Sequence, residues 1–188
     1  MSTMFDPLEA VMTPEMYARV GERFGIPGEM VQKGVTIALP LLTRGLSMAA
    51  DTPEGQVKIA EAVQQADAGV LGNLTGFLGA LSGGDAGTDV LNRLFGDESR
   101  VVVAGIKNAT GYDITPIVGM VGPLILGFLN STAQKEGMDT NALIKKLKTE
   151  ARGVERRKGD EAALVNEVLG QVTSVREMKG RFSAREWA

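Results

Sequence analysis

The chain of 188 residues contains no cysteine and no histidine. Those two absences exclude disulfides, thiolate nucleophiles, zinc sites of the Cys/His type and any catalytic triad whose base is an imidazole. No Gly-Lys pair occurs, so a phosphate loop of the Gly-Lys-Ser/Thr kind is excluded too. The glycines between Gly69 and Gly87 match no dinucleotide fingerprint and follow no strand pattern. Aromatic residues are only 5% of the chain, which leaves the core to Leu, Val, Ile, Met and Ala, with 24 glycines to let backbones approach. No basic residue precedes Arg19 and the first twenty residues hold no apolar core, so a secretory signal is not expected. Together with the missing cysteine, this makes a cytoplasmic location the expectation.

Two fragments touch on chemistry without completing it. Gly45-Leu46-Ser47-Met48-Ala49 has the outline of a nucleophile elbow, but the serine has no base. Asp85 and Asp89 flank a glycine loop, yet the ligand run of a calcium loop is missing, and helix capping is the expected role. No catalytic, cofactor-binding or metal-binding residue is therefore assigned, and no cofactor is expected.

An apolar fraction of 44% and a charged fraction of 23% are those of a globular protein. The length suits one domain of about 100–150 residues with an appendage. Residues 1–100 hold 7 basic and 13 acidic side chains, net −6, while residues 101–188 hold 13 and 10, net +3. That asymmetry points to a tail with its own partner.

The most apolar stretch is Ile114 to Leu129, ITPIVGMVGPLILGFL, and between Asp113 and Lys135 no residue is charged. Its sixteen residues would reach roughly 24 Å as a helix, against a hydrocarbon layer of about 30 Å. A buried core helix is the expectation. Around it, helix signals recur along the chain. Thr13-Pro14-Glu15 opens a helix to about Phe24, closed by Gly25; Pro27-Gly28-Glu29 opens one to about Met48 with Pro40 inside; Asp51-Thr52-Pro53-Glu54 opens another to about Ala66. Small residues at Ala68, Gly72, Gly76, Ala80 and Gly84 fall on every fourth position and predict a helix over 68–84 with a face for tight packing. Shorter helices follow at Val90–Phe95 and Asp97–Ala109. The central helix runs from about Thr115 to Glu136, and a further one from Thr140 to about Ala151. A charged, glycine-flanked stretch, 151–160, precedes a last helix over about 161–178.

Two segments look alike. Phe24-Gly25-Ile26 leads into an apolar helix ending LPLLTRGL, and Thr110-Gly111-Tyr112 leads into one ending GPLILGFL. Each unit is a helix, a glycine break and a proline-interrupted apolar helix. Packed as equivalents, the two apolar helices would sit together at the centre. The fold class expected is therefore all-α: a compact multi-helix domain with an internal repeat of proline-kinked apolar helices, plus a C-terminal helical tail. Its divisions are an arm at 1–12, the core at 13–150 and a charged linker with C-terminal helix at 151–188.

The ordered motifs FGIPGEMV…LPLLTRGL, DVLNRLFG and TGYD…IVGMVGPLILGFL resemble the bacterial family catalogued as domain of unknown function nine-three-seven, related to YidB-like proteins, over about Pro14 to Leu147. The resemblance implies an all-helical bacterial domain without an assigned activity, and it supplies no functional residue. After Leu147 the charged tail departs from the glycine-rich ending the family would lead one to expect.

Three features remain as contact surfaces. The first is the small-residue helix, with Gly72, Gly76 and Ala80. The second is the C-terminal helix and tail: Val165, Val168, Val172 and Val175 form a seam in steps of three and four. Beyond the seam, Phe182, Arg185 and Trp187 are side chains of the kind that anchor interfaces. The third is the basic cluster Lys145, Lys146, Lys148, Arg152, Arg156, Arg157 and Lys158, which against Glu150 and Glu155 nets +5. It reads either as a solvated helix face or as an electrostatic contact to an anionic lipid, an acidic protein face or nucleic acid. The acidic balance of the chain argues against nucleic acid.

The leading expectation is a non-enzymatic interaction or self-assembly protein of the bacterial cytoplasm, associating with itself or another protein through 68–84 and the tail. The alternative is association with an anionic membrane surface through the apolar helix 114–129 and the cluster 145–158. A small-molecule binder using carboxylates and Lys or Arg between helices is the third.

Overall fold

Thirteen of the residues from Thr115 to Asn130 are buried, on every side of the helix that carries them. A helix apolar all round belongs inside a protein and has to be surrounded. The computed structural model shows how. It describes residues 6–73, 76–77, 85–156 and 159–185, without the side chains at 8, 9, 71, 85, 86 and 180–185.

The chain is all-α, with no strand among the described residues. In order the helices are α1 (Asp6–Val11), α2 (Pro14–Phe24), α3 (Gly28–Ala49), α4 (Pro53–Gln65), α5 (Asp85–Phe95), α6 (Ser99–Thr110), α7 (Thr115–Glu136), α8 (Thr140–Glu155) and α9 (Asp160–Arg185). Short 3₁₀ turns lie at Val70–Asn73 and Gly96–Glu98.

The starts lie where the capping residues predict. Thr13, Thr52 and Asp139 each accept a hydrogen bond from a backbone N–H three residues on, satisfying a donor that the first turn leaves free. Gly25 and Gly137 close α2 and α7 in the left-handed conformation, at φ 68° and 60°, which costs glycine nothing. Pro40 and Pro123 each lie inside a helix that continues past them.

At the centre α7 packs against α3, α5, α4 and the Val70–Asn73 turn. Glycines on α7 and on its neighbours make this possible, because each receives a different group. A methyl group on Gly87 of α5 would stand 1.8 Å from the Thr115 carbonyl oxygen and 3.0 Å from the Gly119 amide nitrogen, so the two backbones are in contact. A methyl group on Gly122 would meet Val90 at 3.0 Å, and one on Gly127 the Asp67 carbonyl oxygen at 2.4 Å. On the α3 side, Ile117 fills the space over Gly34. Asn130 ties α7 to the end of α4, its Nδ2 donating to the Ala66 carbonyl at 2.8 Å.

The helix Thr115–Glu136 is long and apolar enough to cross a membrane, and no other among the described residues is. Two-thirds of its most apolar window, 67%, is buried inside the protein, in line with the expected core helix.

Four expectations are corrected. Residues 6–11 form a helix rather than an arm, and Met12 is buried. The stretch from Ala68 is not a continuous α-helix: Val70–Asn73 is a 3₁₀ turn, and the polar side chains that bracket it bond to the local backbone instead. Asp67 Oδ1 accepts from the Gly69 amide at 2.8 Å and Asn73 Oδ1 from the Gly76 amide at 3.2 Å. The Asp67 bond, to the amide two residues on, competes with helix formation, to which glycine adds its own entropic cost, whereas the Asn73 bond has the three-residue span of a cap and starts a helical turn anew at 76–77. Ala80 lies outside the described residues.

The repeat is only half realised. α3 and α7 do meet at the centre, and α2 folds back on α3, where a methyl on Gly28 would lie 3.3 Å from Ala18 Cα. Its counterpart α6 packs instead on α9, where a methyl on Gly105 would lie 3.0 Å from Val168, and α5 takes the place beside α7. Lastly, the expected core boundary at 150 falls within α8, whose Ala151 and Val154 are buried, and α9 joins the same core.

Gly87→Ala is expected to cost about 1–3 kcal/mol through overpacking. At about 2–4 °C per kcal/mol for a domain of this size, the melting temperature falls by roughly 2–12 °C. Gly72→Ala, where nothing lies within 4 Å of the added carbon, is expected to leave it almost unchanged. Equal losses in thermal melts of the two variants would contradict this account of close packing.

Candidate interaction surface

The side chains that the sequence singled out divide sharply once the helices are in place. Val165, Val168, Leu169 and Val172 point inward from α9 and are at most 2% exposed. Their partners lie on the chain's own α6 and α3. Burying each is worth about 1.5–3 kcal/mol. The valine seam therefore completes the core of its own chain, which corrects its expected role as a free docking face. Val175, one step further on, is half-buried, and Met178 is 51% exposed. Burial thus declines along one helix, and α9 runs on to Arg185 past the point where the core stops. Phe182 and Arg185 sit on that extension with side chains outside the description, and Trp187 lies outside the described residues.

Two polar clamps hold α9. At its first turns Arg44, reaching out from the buried face of α3, donates through Nη1 to Asn166 Oδ1 of α9 and lies 3.3 Å from Glu155 Oε1 of α8. An arginine inside LPLLTRGL is a charge in an apolar helix, and a charge there needs a partner. At the far end Glu98 is almost enclosed, its side chain 10% exposed. It accepts from Lys179 Nζ at 3.0 Å and Arg176 Nε at 3.3 Å, with Asp97 3.8 Å from the same ammonium. Arg176 also donates to the Phe95 carbonyl at 3.5 Å. The hydrogen bond from Lys179 is the chief reason the Glu98 carboxyl is held below its ordinary value of 4.5, against the opposing effect of burial. Conversely Glu98 raises Lys179 above 10.5. Neither Arg44 nor Glu98 stood out in the sequence reading. Arg44 was legible as the lone charge in an apolar run, whereas Glu98 had no local signal because its partners are some eighty residues away.

The basic cluster is also divided. Lys146 pairs with Glu136 at 2.8 Å and Lys148 with Asp51 at 2.9 Å, so these two are structural contacts of α8 with its own chain. Lys145, Arg152 and Arg156 are exposed and form no ion pair among the described residues. Arg157 and Lys158 lie outside the described residues. Gly72 and Gly76 are exposed and nothing packs on Gly72. Among the described residues no group of three or more acidic side chains is placed to hold a metal, and every buried polar side-chain atom has a partner.

A carboxyl held below its unfolded value stabilises the fold above that value and ceases to as pH falls through the folded one. The stability that Glu98 contributes is thus fully present above about pH 4.5 and lost below it. Glu98→Gln is expected to cost about 1–3 kcal/mol at neutral pH. In thermal melts from pH 7 to 3 the gap between wild type and variant should close below pH 4.5; a constant gap would rule out the ionised carboxylate as its cause.

No curated protein and no solved structure matches the chain. The family model described as bacterial protein of unknown function (DUF937) matches residues 6–132, well over half of the chain, and the protein belongs to that family.

Proposed function

We propose that the protein works by association rather than catalysis, in the bacterial cytoplasm, and that its contact element is the distal part of α9 with the residues after it. The observation that carries this reading is the exposure of Met178 on a helix whose preceding turns are buried. Beyond it the sequence continues with Arg181, Phe182, Arg185 and Trp187, side chains that supply anchoring energy at interfaces. The partner proposed is a second copy of the chain. Residues 68–84, the other surface expected from the sequence, lend less support, since Gly72 lies in an exposed 3₁₀ turn. The membrane-surface alternative also has less support, because α7 is enclosed by its neighbours.

The truncation that tests this has to respect the core. A chain ending at Gly153 would remove Val165, Val168, Leu169 and Val172 and expose what they cover, so substitution is the better route. Light scattering coupled to size exclusion, over a concentration series, is expected to find the full chain above its monomer mass of 19.9 kDa. The triple variant M178E/F182E/W187E should stay at that mass with an unchanged helical circular dichroism spectrum. Wild type that remains monomeric throughout, or a variant that assembles like it, would refute the reading.

A further inference from the structure

Over residues 160–177 the outward face of α9 is acidic, and its carboxylates are unpaired among the described residues. Asp160, Ala163, Glu167, Gly170, Ser174 and Glu177 follow one another in steps of three and four, so they share one stripe, and all six are exposed. None of its three carboxylates forms an ion pair among the described residues. Of the cations of α9, Arg176 and Lys179 are turned to Glu98, and Arg181 and Arg185 have side chains outside the description. Between the carboxylates the stripe carries only small residues, and nothing lies within 4 Å of a carbon added at Gly170.

The exposed face of α8 is the converse. Lys145, Thr149, Arg152 and Arg156 also follow in steps of three and four, all exposed, and the three cations have no ion-pair partner among the described residues. Lys145 and Arg152 stand seven residues apart, as do Asp160 and Glu167, and seven residues of helix span about 10.5 Å. Two helices laid side by side can therefore bring both pairs into register at once.

We infer that a second copy of this chain docks here, the acidic stripe of its α9 lying along the basic stripe of α8. This deepens the association reading and rests on it: the distal α9 would supply apolar anchoring, and the charged stripes would choose the partner and the register. Complementary charge at such a surface acts mainly on specificity and encounter rate. Neither stripe is apolar, so the contact is reversible and sensitive to salt, whose screening length falls from about 10 Å at 0.1 M to about 3 Å at 1 M.

The experiment is light scattering on the full chain, at about 0.05 M and about 0.5 M sodium chloride, a roughly tenfold range over which the screening length shortens about threefold. K145E/R152E, D160K/E167K and their equimolar mixture are measured beside wild type, with circular dichroism confirming that each is folded. Wild type is expected to associate at least tenfold more weakly at the higher salt, and each charge variant alone to lose at least tenfold at the lower. The mixture, in which the reversed faces are again complementary, should regain the association. Three results overturn the inference: charge variants that associate like wild type, a mixture that shows no recovery, or salt independence. If the charge variants assemble normally while M178E/F182E/W187E does not, this contact fails and the association reading survives. Wild type monomeric in every condition removes both.

Discussion

Everything in this fold answers to the problem of enclosing α7. With no charge between Asp113 and Lys135 and buried residues around its whole circumference, the helix needs neighbours on all sides, and it has them in α3, α4, α5 and the Val70–Asn73 turn. A helix surrounded by that many elements cannot carry large side chains all round, because the neighbours would be held too far off to close the layer. Gly87 of α5 lets the two backbones touch, and Gly122 and Gly127 let Val90 and the Asp67 carbonyl come to contact distance. Dispersion and apolar burial then act over short distances, where they are strongest.

The same economy explains what the chain does with its polar groups. Asn130 satisfies the Ala66 carbonyl at the end of α4, and Asp113 accepts from the Thr115 amide at 2.8 Å, standing in for a cap at the start of α7. Arg44 and Glu98 lie at the two ends of the seam where α9 joins. Each holds a charged group in a partly enclosed place and each is matched by partners from α9, so the buried stretch of the C-terminal helix is fastened by polar contacts on either side and by valines between. The match to the family ends at residue 132, yet α8 and α9 beyond it contribute buried side chains to the same core.

Much of this was readable before the structure. Capping residues located the starts of α2, α4 and α8, glycines located the ends of α2 and α7, and the period of the apolar residues gave an all-α class. The apolar run gave the central helix almost to the residue. What misled was periodicity without burial. The four-residue spacing of Ala68, Gly72 and Gly76 resembles a packing face, but spacing only says which residues would share a face if a helix formed. Asp67 and Asn73 satisfy the local backbone by other means. In the valine seam the period was right and the partner was not. Alternation in steps of three and four marks a helix face to be covered, without saying whether the cover is another chain or the same one.

The sequence by itself determined the helical class, the starts of α2, α4 and α8, the identity of the central helix and the absence of imidazole and thiol chemistry, because each follows from residue type or from interactions within a few residues. Only the tertiary structure decided which surface is spent and which is free. That Val165 to Val172 are consumed by α6 and α3, that among the described residues Lys146 and Lys148 are paired while Lys145, Arg152 and Arg156 are not, and that Glu98 grips residues some eighty positions away all depend on contacts between distant parts of the chain. Such contacts depend on how whole helices pack, and packing is the sum of many weak, non-directional terms that no short stretch of sequence contains.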